Sequence, residues 1–597
     1  MQSISPHLYW TADTCSVYLL RDGERGLLID CGTDLRPSHL ADNPGVQVDR
    51  LLLTHFHRDQ CTGFVHWQAA GAQVTIPFAE RRFFEEADLL RASYDTFDNY
   101  TAYYPTTGPL ADVRGAVHAK DYGRLYWGDI PIDVIPLPGH TFGSVGYLFA
   151  VDGQRVLACG DLLSAPGQMR DYFPLQWRYM DFQGHVNWLE SLQTVAQLAP
   201  DLILPGHGQP FAFTPQAIAD LQRMGERLYA LFYARPFVAY CPLFRQLSPH
   251  VHEVSNSMAN TYIVDDGQGH ALFIDCGYTS AAPITANPHR FIDHLTPYLE
   301  SELGIYSVEW FLPSHYHDDH LAGYAALRVR YRTKMASSPE LKDIIEHPER
   351  YDMPCLVPEG YQVDAVVERG EALSWRGIDF TIEQHPGQTL YHHLIRFEVD
   401  GLRYLCIGDN ISGLGFREER DFIHSFIPKN RTPVSSYTDM PRQIQQAQPD
   451  ILLTGHGGGV VCDPAQVRRW QGWMEEWQAI FTRMLDQPHP NLGMDPRWVE
   501  FYPYKVRIQP GEMVCFELRV TNHEERAQTF SAHLRSVAGV QLTPEQFTAT
   551  VAPGQVAKME VVAQFPQGFA THSLTIVADV TWGGRRLGEI AEAIAYW

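Results

Sequence analysis

Two sets of histidine and aspartate with the same internal order are the residues of this 597-residue chain best suited to metal chemistry. Each set opens with a His-x-His-x-Asp run that follows an apolar run. On a loop after a strand, two imidazoles two residues apart face the same side and can bind one metal ion, while the carboxylate two residues further on faces a second. The first set comprises His55, His57, Asp59, His140, Asp161 and His207, and the second comprises His315, His317, Asp319, His320, Asp409 and His456.

Paired motifs in matching order indicate that the two sets belong to an internal repeat. From position 140 to Asp161, and from Gln388 to Asp409, the distance is 21 residues in both copies. Two copies of one fold are the economical explanation. The pairs are GLLIDCG (26–32) and ALFIDCG (271–277), LLLTHFHRDQCTG (51–63) and FLPSHYHDDHLAG (311–323), PLPGHT (136–141) and QHPGQT (384–389), VLACGD (156–161) and YLCIGD (404–409), and DLILPGHG (201–208) and DILLTGHG (450–457).

The elements that must position these residues are strands that end at each polar cluster. Helical patterns at 186–198 and 441–448 separate the last two landmarks of each copy. Strands that alternate with helices, with polar residues at the strand ends, predict a layered α/β domain for each copy, at 1–235 and 245–490. After these, short β-rich runs and Pro-Gly turns predict an all-β sandwich at 498–597.

The combination of His-x-His-x-Asp-His, a later Pro-Gly-His-Thr, a Gly-Asp and a Gly-His resembles the metallo-β-lactamase-fold superfamily. The resemblance covers both copies, about four fifths of the chain. It implies a four-layer αββα fold in each copy and Zn²⁺ as the cofactor, one or two ions per domain, with iron or manganese as alternatives. The last domain resembles the immunoglobulin-like modules that are appended to bacterial hydrolases. This similarity lies in the pattern of short strands and turns, without a sequence motif.

Each copy departs from the family pattern at one ligand, and at a different one. The first copy has Gln60 where the second has His320, and the second has Gln388 where the first has His140. Glutamine is a weaker ligand than imidazole for zinc-like metals, so either site can be mononuclear or hold its second ion loosely. His392 and His393, close behind Gln388, are alternative ligands or buried, hydrogen-bonded residues. The sequence slightly favours the first copy as catalytic, because three histidines and Asp161 suffice for one ion with an open position.

The expected activity is hydrolysis of an ester, thioester, lactone or amide bond in a small molecule. A metal pair about 3.5 to 4 Å apart needs a bridging carboxylate, and the two metal ions lower the pKa of a bound water towards 7. Asp161 is the predicted bridge of the first copy, and Asp59 and Asp319 are the predicted catalytic residues, which hold both metal and hydroxide. Two other functions stay open. One is iron-dependent oxidation of a sulfur compound at a mononuclear site. In the other, one copy is a non-catalytic scaffold and the C-terminal sandwich binds a partner or a glycan.

The amino-acid composition disfavours several classes of binding partner. Lys and Arg number 46 against 70 Asp and Glu, and a net charge of −24 disfavours nucleic acid and the nuclease branch of the resembled superfamily. No apolar stretch approaches the roughly 20 residues of a membrane helix, so the prediction is a cytoplasmic protein without membrane contact, and a homo-oligomer is compatible with it. Ten cysteines without a CxxC pair are expected to be reduced, buried residues.

Two further expectations concern residues beside the ligands. Asp30 and Asp275, which precede Cys-Gly, are expected to cap loop amides behind the sites rather than to bind metal. Aromatic segments at 94–108 and 171–182 in the first copy, and a more charged segment at 415–433 in the second, lie where substrate loops are expected. For the aromatic segments, burial against a neighbouring domain is an equal alternative.

Overall fold

The computed structural model describes residues 1–41, 45–93, 108–177, 183–238, 240–278, 289–412, 423–424, 427–536, 539–568 and 573–596. Contacts divide the chain into two compact units: one runs from Met1 to Tyr240, and the other comprises the described chain from Cys241 onward. The three domain ranges drawn from the sequence stay predictions. The expected substrate loops at 94–108, 171–182 and 415–433 fall partly outside the described residues.

The first unit contains a seven-stranded and a six-stranded sheet. The strands of the first sheet, in spatial order, are β1 (Gln2–Ser5), β2 (Leu8–Ala12), β3 (Ser16–Asp22), β4 (Arg25–Ile29), β5 (Gln47–Leu52), β6 (Gln73–Pro77) and β7 (Val117–Ala119). Those of the second, also in spatial order, are β8 (Arg124–Trp127), β9 (Ile130–Pro136), β10 (Val145–Val151), β11 (Gln154–Gly160), β12 (Leu202–Pro205) and β13 (Phe211–Ala212). In the sequence, two apolar runs separated by the polar turn RDGER predict a hairpin here, and β3 and β4 confirm it as an antiparallel pair.

Helices cover the outer face of each sheet in this unit. They are α1 (Pro37–Ala41), α2 (Arg58–Cys61), α3 (Phe64–Ala69), α4 (Arg81–Glu85), α5 (Ala87–Ser93), α6 (Gln183–Leu198) and α7 (Pro215–Tyr233). One buried core joins the two sheets face to face, through Tyr18 and Leu27 on one side and Tyr147 and Val156 on the other. Two more cores pack α1 to α4 on the first sheet and α6 and α7 on the second. The unit is therefore built of four layers, helix, sheet, sheet and helix.

The second unit repeats this architecture. Its seven-stranded sheet contains β14 (Phe244–Ser248), β15 (Val251–Val254), β16 (Thr261–Asp265), β17 (His270–Ile274), β18 (Ser307–Leu312), β19 (Lys334–Ser337) and β20 (Ala365–Val366). The six-stranded sheet contains β21 (Leu373–Trp375), β22 (Ile378–Gln384), β23 (His393–Val399) and β24 (Leu402–Gly408), and, beyond a two-stranded ribbon of β25 (Ile411–Ser412) and β26 (Ile423–His424), also β27 (Ile451–Thr454) and β28 (Gly458–Val461). The strand order matches the first copy position by position, so the repeat found in the sequence recurs in the fold.

The helices of the second unit are α8 (His289–Leu303), α9 (Asp318–Leu321), α10 (Tyr324–Tyr331), α11 (Pro339–Glu346), α12 (Val434–Ala447), α13 (Pro464–Met484) and α14 (Asn491–Met494). The predicted helices at 186–198 and 441–448 lie in α6 and α12, although α12 begins earlier and contains Pro441. Among the described residues, no helix is long and apolar enough to cross a membrane.

The end of the chain is an all-β sandwich within the second unit. A four-stranded sheet, with order β29-β31-β35-β33, faces a five-stranded sheet, with order β30-β37-β36-β32-β34. One core of buried side chains from both sheets fills the space between them, including Phe516 and Val561 on one side and Phe530 and Ile576 on the other. The strands are β29 (Val499–Tyr502), β30 (Lys505–Arg507), β31 (Met513–Thr521), β32 (Gln528–Ser536), β33 (Gln541–Thr543), β34 (Gln546–Val551), β35 (Val556–Gln564), β36 (Ser573–Trp582) and β37 (Arg585–Tyr596).

The cysteines follow the expectation only in part. All ten are free thiols, as predicted. Six are buried, but Cys241, Cys355 and Cys515 are exposed and Cys462 is half-buried, so the expectation of general burial is wrong. The four cysteines beside the repeated landmarks do pack as small core residues at strand ends, and they are Cys31, Cys159, Cys276 and Cys406.

Candidate metal centres

The ligand candidates of each copy lie at the carboxyl ends of strands, at one edge of the paired sheets. In the first copy, His55 follows β5, His140 follows β9, Asp161 follows β11 and His207 follows β12. Because β11 and β12 are parallel and β9 runs in the same direction, their ends meet. The fold therefore collects residues that are far apart in the sequence.

In the first copy, three histidines form a compact cluster. His55, His57 and His140 each offer a nitrogen within 4.8 Å of the others. The carboxylate of Asp161 adjoins them, with Oδ2 at 3.3 Å from Nε2 of His140 and 3.9 Å from Nε2 of His55. Three imidazoles with an adjacent carboxylate match the donor set of a mononuclear site with an open position.

The residues at the second metal position of the first copy differ from those of the second copy. Nε2 of Gln60 lies 3.1 Å from Oδ1 of Asp161, so an amide donor stands where the second copy has an imidazole. His207 places Nδ1 at 2.9 Å from Oδ1 of Asp161 and Nε2 at 3.3 Å from Oδ2 of Asp59. Although burial alone would lower it, hydrogen bonds to Asp161 and Asp59 raise the pKa of His207 to about 10. Gln60 and His207 therefore both lie within hydrogen-bonding distance of Asp161, on the side where the second copy has His320 and His456.

In the second copy, the residues form two clusters. His315, His317 and Asp409 make one, and Asp319, His320 and His456 make the other, each within 4.8 Å. Asp409 faces both, because Oδ1 lies 3.1 Å from Nε2 of His320 and Oδ2 lies 3.2 Å from Nε2 of His456 and 3.9 Å from Nε2 of His315. Asp409 thus occupies the place of a carboxylate shared by two ions.

Gln388 and the histidines behind it show how the second copy lacks a third imidazole. Nε2 of Gln388 donates to Oδ2 of Asp409 at 3.0 Å. His393 turns away, with Nδ1 at 3.0 Å from the carbonyl of Pro313. His392 stacks on His315 with ring centroids 5.2 Å apart and belongs to neither cluster. The sequence leaves a ligand role and a buried role open for this histidine pair, and the structure places both as buried residues.

Unsatisfied atoms test whether these residues fit metal ions. Nε2 of His55, Nε2 of His315, Nε2 of His320 and Oδ1 of Asp409 are buried and make no hydrogen bond. Nε2 of His320 and Oδ1 of Asp409 are only 3.1 Å apart, yet neither bonds to the other. Buried polar atoms without partners are costly, and a cation at the point where their lone pairs meet satisfies them. The residues of both copies fit a divalent metal.

Protonation supports the same assignment for the imidazoles of the two His-x-His runs. Burial lowers the pKa of His55 to about 3 and that of His317 to about 4. Burial and neighbouring imidazoles also lower the pKa values of His57 and His315 well below the usual range. These rings are neutral near pH 7, which is the form that binds a metal.

Asp30 and Asp275 cap loop amides, as predicted. Oδ1 of Asp30 accepts from the amide of Thr54 at 2.9 Å, and Oδ1 of Asp275 accepts from the amide of Ser314 at 2.6 Å. Asp275 has a further role, because its Oδ2 lies 2.9 Å from Nδ1 of His320 and fixes that ring. The first copy has no equivalent bond, since Gln60 replaces the histidine.

Three residues near the centres escaped the sequence analysis. Glu80, fully buried, accepts from the amides of Phe56 at 2.8 Å and Gly143 at 3.1 Å and so ties two ligand loops together. Asn410 accepts from the amide of Gln388 at 2.7 Å. Asn430 places Nδ2 at 3.5 Å from Nε2 of His317. Asn430 lies in the charged segment expected to form a substrate loop, which is the available signal; nothing in the sequence points to Glu80.

Parts of the chain are similar to known proteins. The sequence model of the metallo-beta-lactamase superfamily matches residues 10–207 and 255–456. A hydroxyacylglutathione hydrolase of Aeromonas salmonicida is 27% identical over 192 residues, 32% of this chain and 58% of the relative, so the match spans little more than half of its length. An acyl-coenzyme A thioesterase of Gallus gallus is 24% identical over 38% of this chain and 80% of the relative. The crystal structure of a metallo-beta-lactamase family protein from Thermus thermophilus is 21% identical, covering 39% of this chain and 81% of that one, with a TM-score of 0.29.

Proposed function

Because the chain belongs to the metallo-β-lactamase superfamily, we propose that it is a metal-dependent hydrolase whose metal pair is held by the second copy. The observation that carries this proposal is the presence of two adjoining ligand clusters around Asp409. The sequence slightly favours the first copy. The geometry favours the second, because the first copy forms one such cluster among its described residues.

The chain's own residues divide the work in this proposal. A bound divalent metal supplies an acidified water and polarises a carbonyl group. Asp319, with Oδ2 at 3.3 Å from Nε2 of His456, is partly exposed and is the carboxylate that orients a water and accepts its proton. Asp275 holds His320 from behind, Gln388 donates to the carboxylate of Asp409, and Asn410 accepts from the backbone amide of Gln388. Such outer partners keep ligands in position.

A small thioester is the substrate class to test first. Two of the relatives carry names that denote thioester hydrolases, whereas their low identity leaves esters, lactones and amides as further members of the class. The net charge of −24 disfavours a polyanionic polymer. Zinc is the proposed metal, and the three-histidine cluster of the first copy is the proposed site of one additional ion.

One specific observation keeps an oxidative function as a second candidate. The first copy offers a three-histidine cluster beside Asp161 and has Gln60 where the second copy has His320, which suits a mononuclear iron centre. Metal content separates the two functions. Iron in purified protein, with oxygen consumption on sulfur compounds that disappears in His57→Ala, would favour oxidation in the first copy.

The proposal is tested by removing one ligand from each copy. His317→Ala and His57→Ala are compared with His66→Ala, an exposed histidine on α3 outside both sites. Bound metal is counted, and thioester, ester and lactone panels are assayed. We expect His317→Ala to lose metal and at least about a hundredfold in kcat/KM, in line with the loss of a metal ligand's function. Activity that survives in both variants would contradict the hydrolase proposal, and loss only in His57→Ala would move the active site to the first copy.

We also propose that the domains span 1–235, 245–490 and 498–597, and that the sandwich is immunoglobulin-like. The two-sheet arrangement of four and five strands supports the second point. A small-molecule substrate and the absence of a nucleic-acid partner remain part of the proposal.

A further inference from the structure

A well-formed cavity in the described part of the second unit lies away from the metal centres. Its volume is about 540 Å³, within the roughly 300–1,000 Å³ typical of small-molecule sites. It is lined by the segment between α13 and β29 and by residues of the sandwich. We refer to it as the junction cavity. Ligand sites occur preferentially at such junctions between domains.

Two tryptophans form the apolar part of the junction cavity. The indoles of Trp498 and Trp582 meet edge to face, with ring centroids 5.2 Å apart, and both side chains are more than nine-tenths buried. Met494 and Leu587 extend this surface. The cavity can therefore receive an aliphatic or aromatic body.

The acidic groups of the junction cavity already have hydrogen-bonding or ionic partners within the protein. Glu524 accepts from Nε1 of Trp582 at 2.8 Å and from Nε2 of Gln528 at 2.6 Å. Asp495 pairs with Nε of Arg431 at 3.1 Å and with Nε2 of His523 at 3.1 Å. Neither carboxylate needs a ligand.

Two cationic groups of the cavity have no such partner. Lys429 and Arg585 line it and form no ion pair with any described residue. Both side chains are exposed, so their charges are available to an anion whose apolar body lies on the tryptophans. Arg585 opens β37, directly after a turn of two glycines, so its guanidinium is carried by a defined hairpin.

We propose that the junction cavity binds a small amphipathic carboxylate, with its apolar body on Trp498 and Trp582 and its carboxylate at Lys429 and Arg585. Charge complementarity favours this occupant over a neutral glycan, which would stack on the tryptophans but leave both cations unused. The proposal is independent of the hydrolase function, because no ligand of either metal centre lines the cavity.

The test is isothermal titration of the full chain with octanoate, octan-1-ol and maltose as probes. We expect octanoate to bind with a stoichiometry of one, and octanol about fivefold more weakly, because one exposed charge contact contributes up to about a factor of five. Arg585→Gln should weaken octanoate binding by about the same factor, and Arg585→Glu should abolish it. Neither change should affect the binding of octanol.

Control variants separate specific binding from non-specific adsorption. Lys558→Gln removes an exposed cation on the opposite sheet of the sandwich and should leave octanoate binding unchanged. Octanoate binding that is equal to octanol binding, insensitive to Arg585→Glu or equally affected by Lys558→Gln would overturn the proposal. Tighter binding of maltose than of octanoate would also overturn it and assign the cavity to a glycan. Unchanged circular dichroism verifies that each variant is folded.

Discussion

Arg431 is the residue whose replacement we expect to be most informative about how the second copy is held together. It is 4 % exposed and sits in the left-handed backbone region directly after Asn430. Its guanidinium pairs with Oδ1 of Asp495 at 3.1 Å and Oε2 of Glu500 at 2.7 Å, and it donates to the carbonyl of Arg497 at 2.8 Å. These partners belong to the segment that leads into the sandwich and to β29.

Arg431→Met keeps the aliphatic stem but removes the charge and the donors. Breaking a buried ion pair costs about 3–5 kcal/mol, because the remaining carboxylates stay buried without their partner. We expect about 3 kcal/mol, the lower end, since Asp495 retains His523 and the amide of Arg497. That free energy corresponds to about a hundredfold change in a local opening equilibrium.

The assay is native-state hydrogen exchange by mass spectrometry on peptides that cover β29 and residues 428–434. Exchange resolves local openings in a chain that is too large for two-state unfolding. Arg328→Met is the matched control, because its pair with Asp364 is partly exposed and is expected to contribute less than about 1 kcal/mol. If Arg431→Met reduces protection no more than Arg328→Met does, the assignment of Arg431 as the anchor of this junction is refuted.

Three further changes test the centres and the fold. Gln60→His should raise the metal content of the first copy by one equivalent, counted by elemental analysis, because it restores the missing imidazole; an unchanged count would contradict the role given to Gln60. Gly455→Ala should weaken metal binding at least about tenfold in chelator competition, because its Cβ would overlap the bridging carboxylate, whereas Gly472→Ala in open space on α13 should not. Hydrogen bonding to Asp400 raises the pKa of His250 above 6.5. The pair's contribution to the free energy of unfolding is therefore complete below about pH 6.5 and is lost as the pH rises through the pKa of the folded state. Since His250 is 40 % exposed, the loss is at most about 1 kcal/mol, and His250→Gln should remove this part of the pH dependence of the urea midpoint.

The sequence predicted the features that local pattern determines. Apolar runs between turn signals indicated the hairpin strands, and the helical periodicity indicated α6 and α12. Matching motif order predicted two copies of one fold, and the structure repeats the same strand order in both. The equivalence extends to side chains, since the hydroxyl of Tyr18 donates to the carbonyl of Pro205 and that of Tyr262 to the carbonyl of Thr454 in the corresponding places.

The division of roles between the copies could not be predicted, because it depends on how the remaining ligands gather around Asp161 and Asp409 in three dimensions. Gln60 directs an amide donor at Asp161, and His207 lies between the carboxylates of Asp161 and Asp59. Gln388 also directs its amide at an aspartate, but the second copy still gathers two clusters around Asp409. In the sequence, each copy lacks one histidine of the motif. The number and spacing of the histidines therefore do not show that the two losses have different effects.

Residues 428–431 explain why the sandwich could not be connected to the metal centre from the sequence. Lys429 lines the junction cavity, Asn430 approaches His317, and Arg431 is clamped by the segment that enters β29. In the sequence these are three consecutive polar residues in a charged stretch, a pattern typical of a solvated loop. Each side chain instead contacts a different part of the second unit. In the sequence, Asn430 is more than a hundred residues from His317, and Arg431 is about seventy residues from Glu500. Because an anchored Arg431 fixes the backbone on which its two neighbours are carried, the position of the sandwich and the edge of the metal centre are determined together.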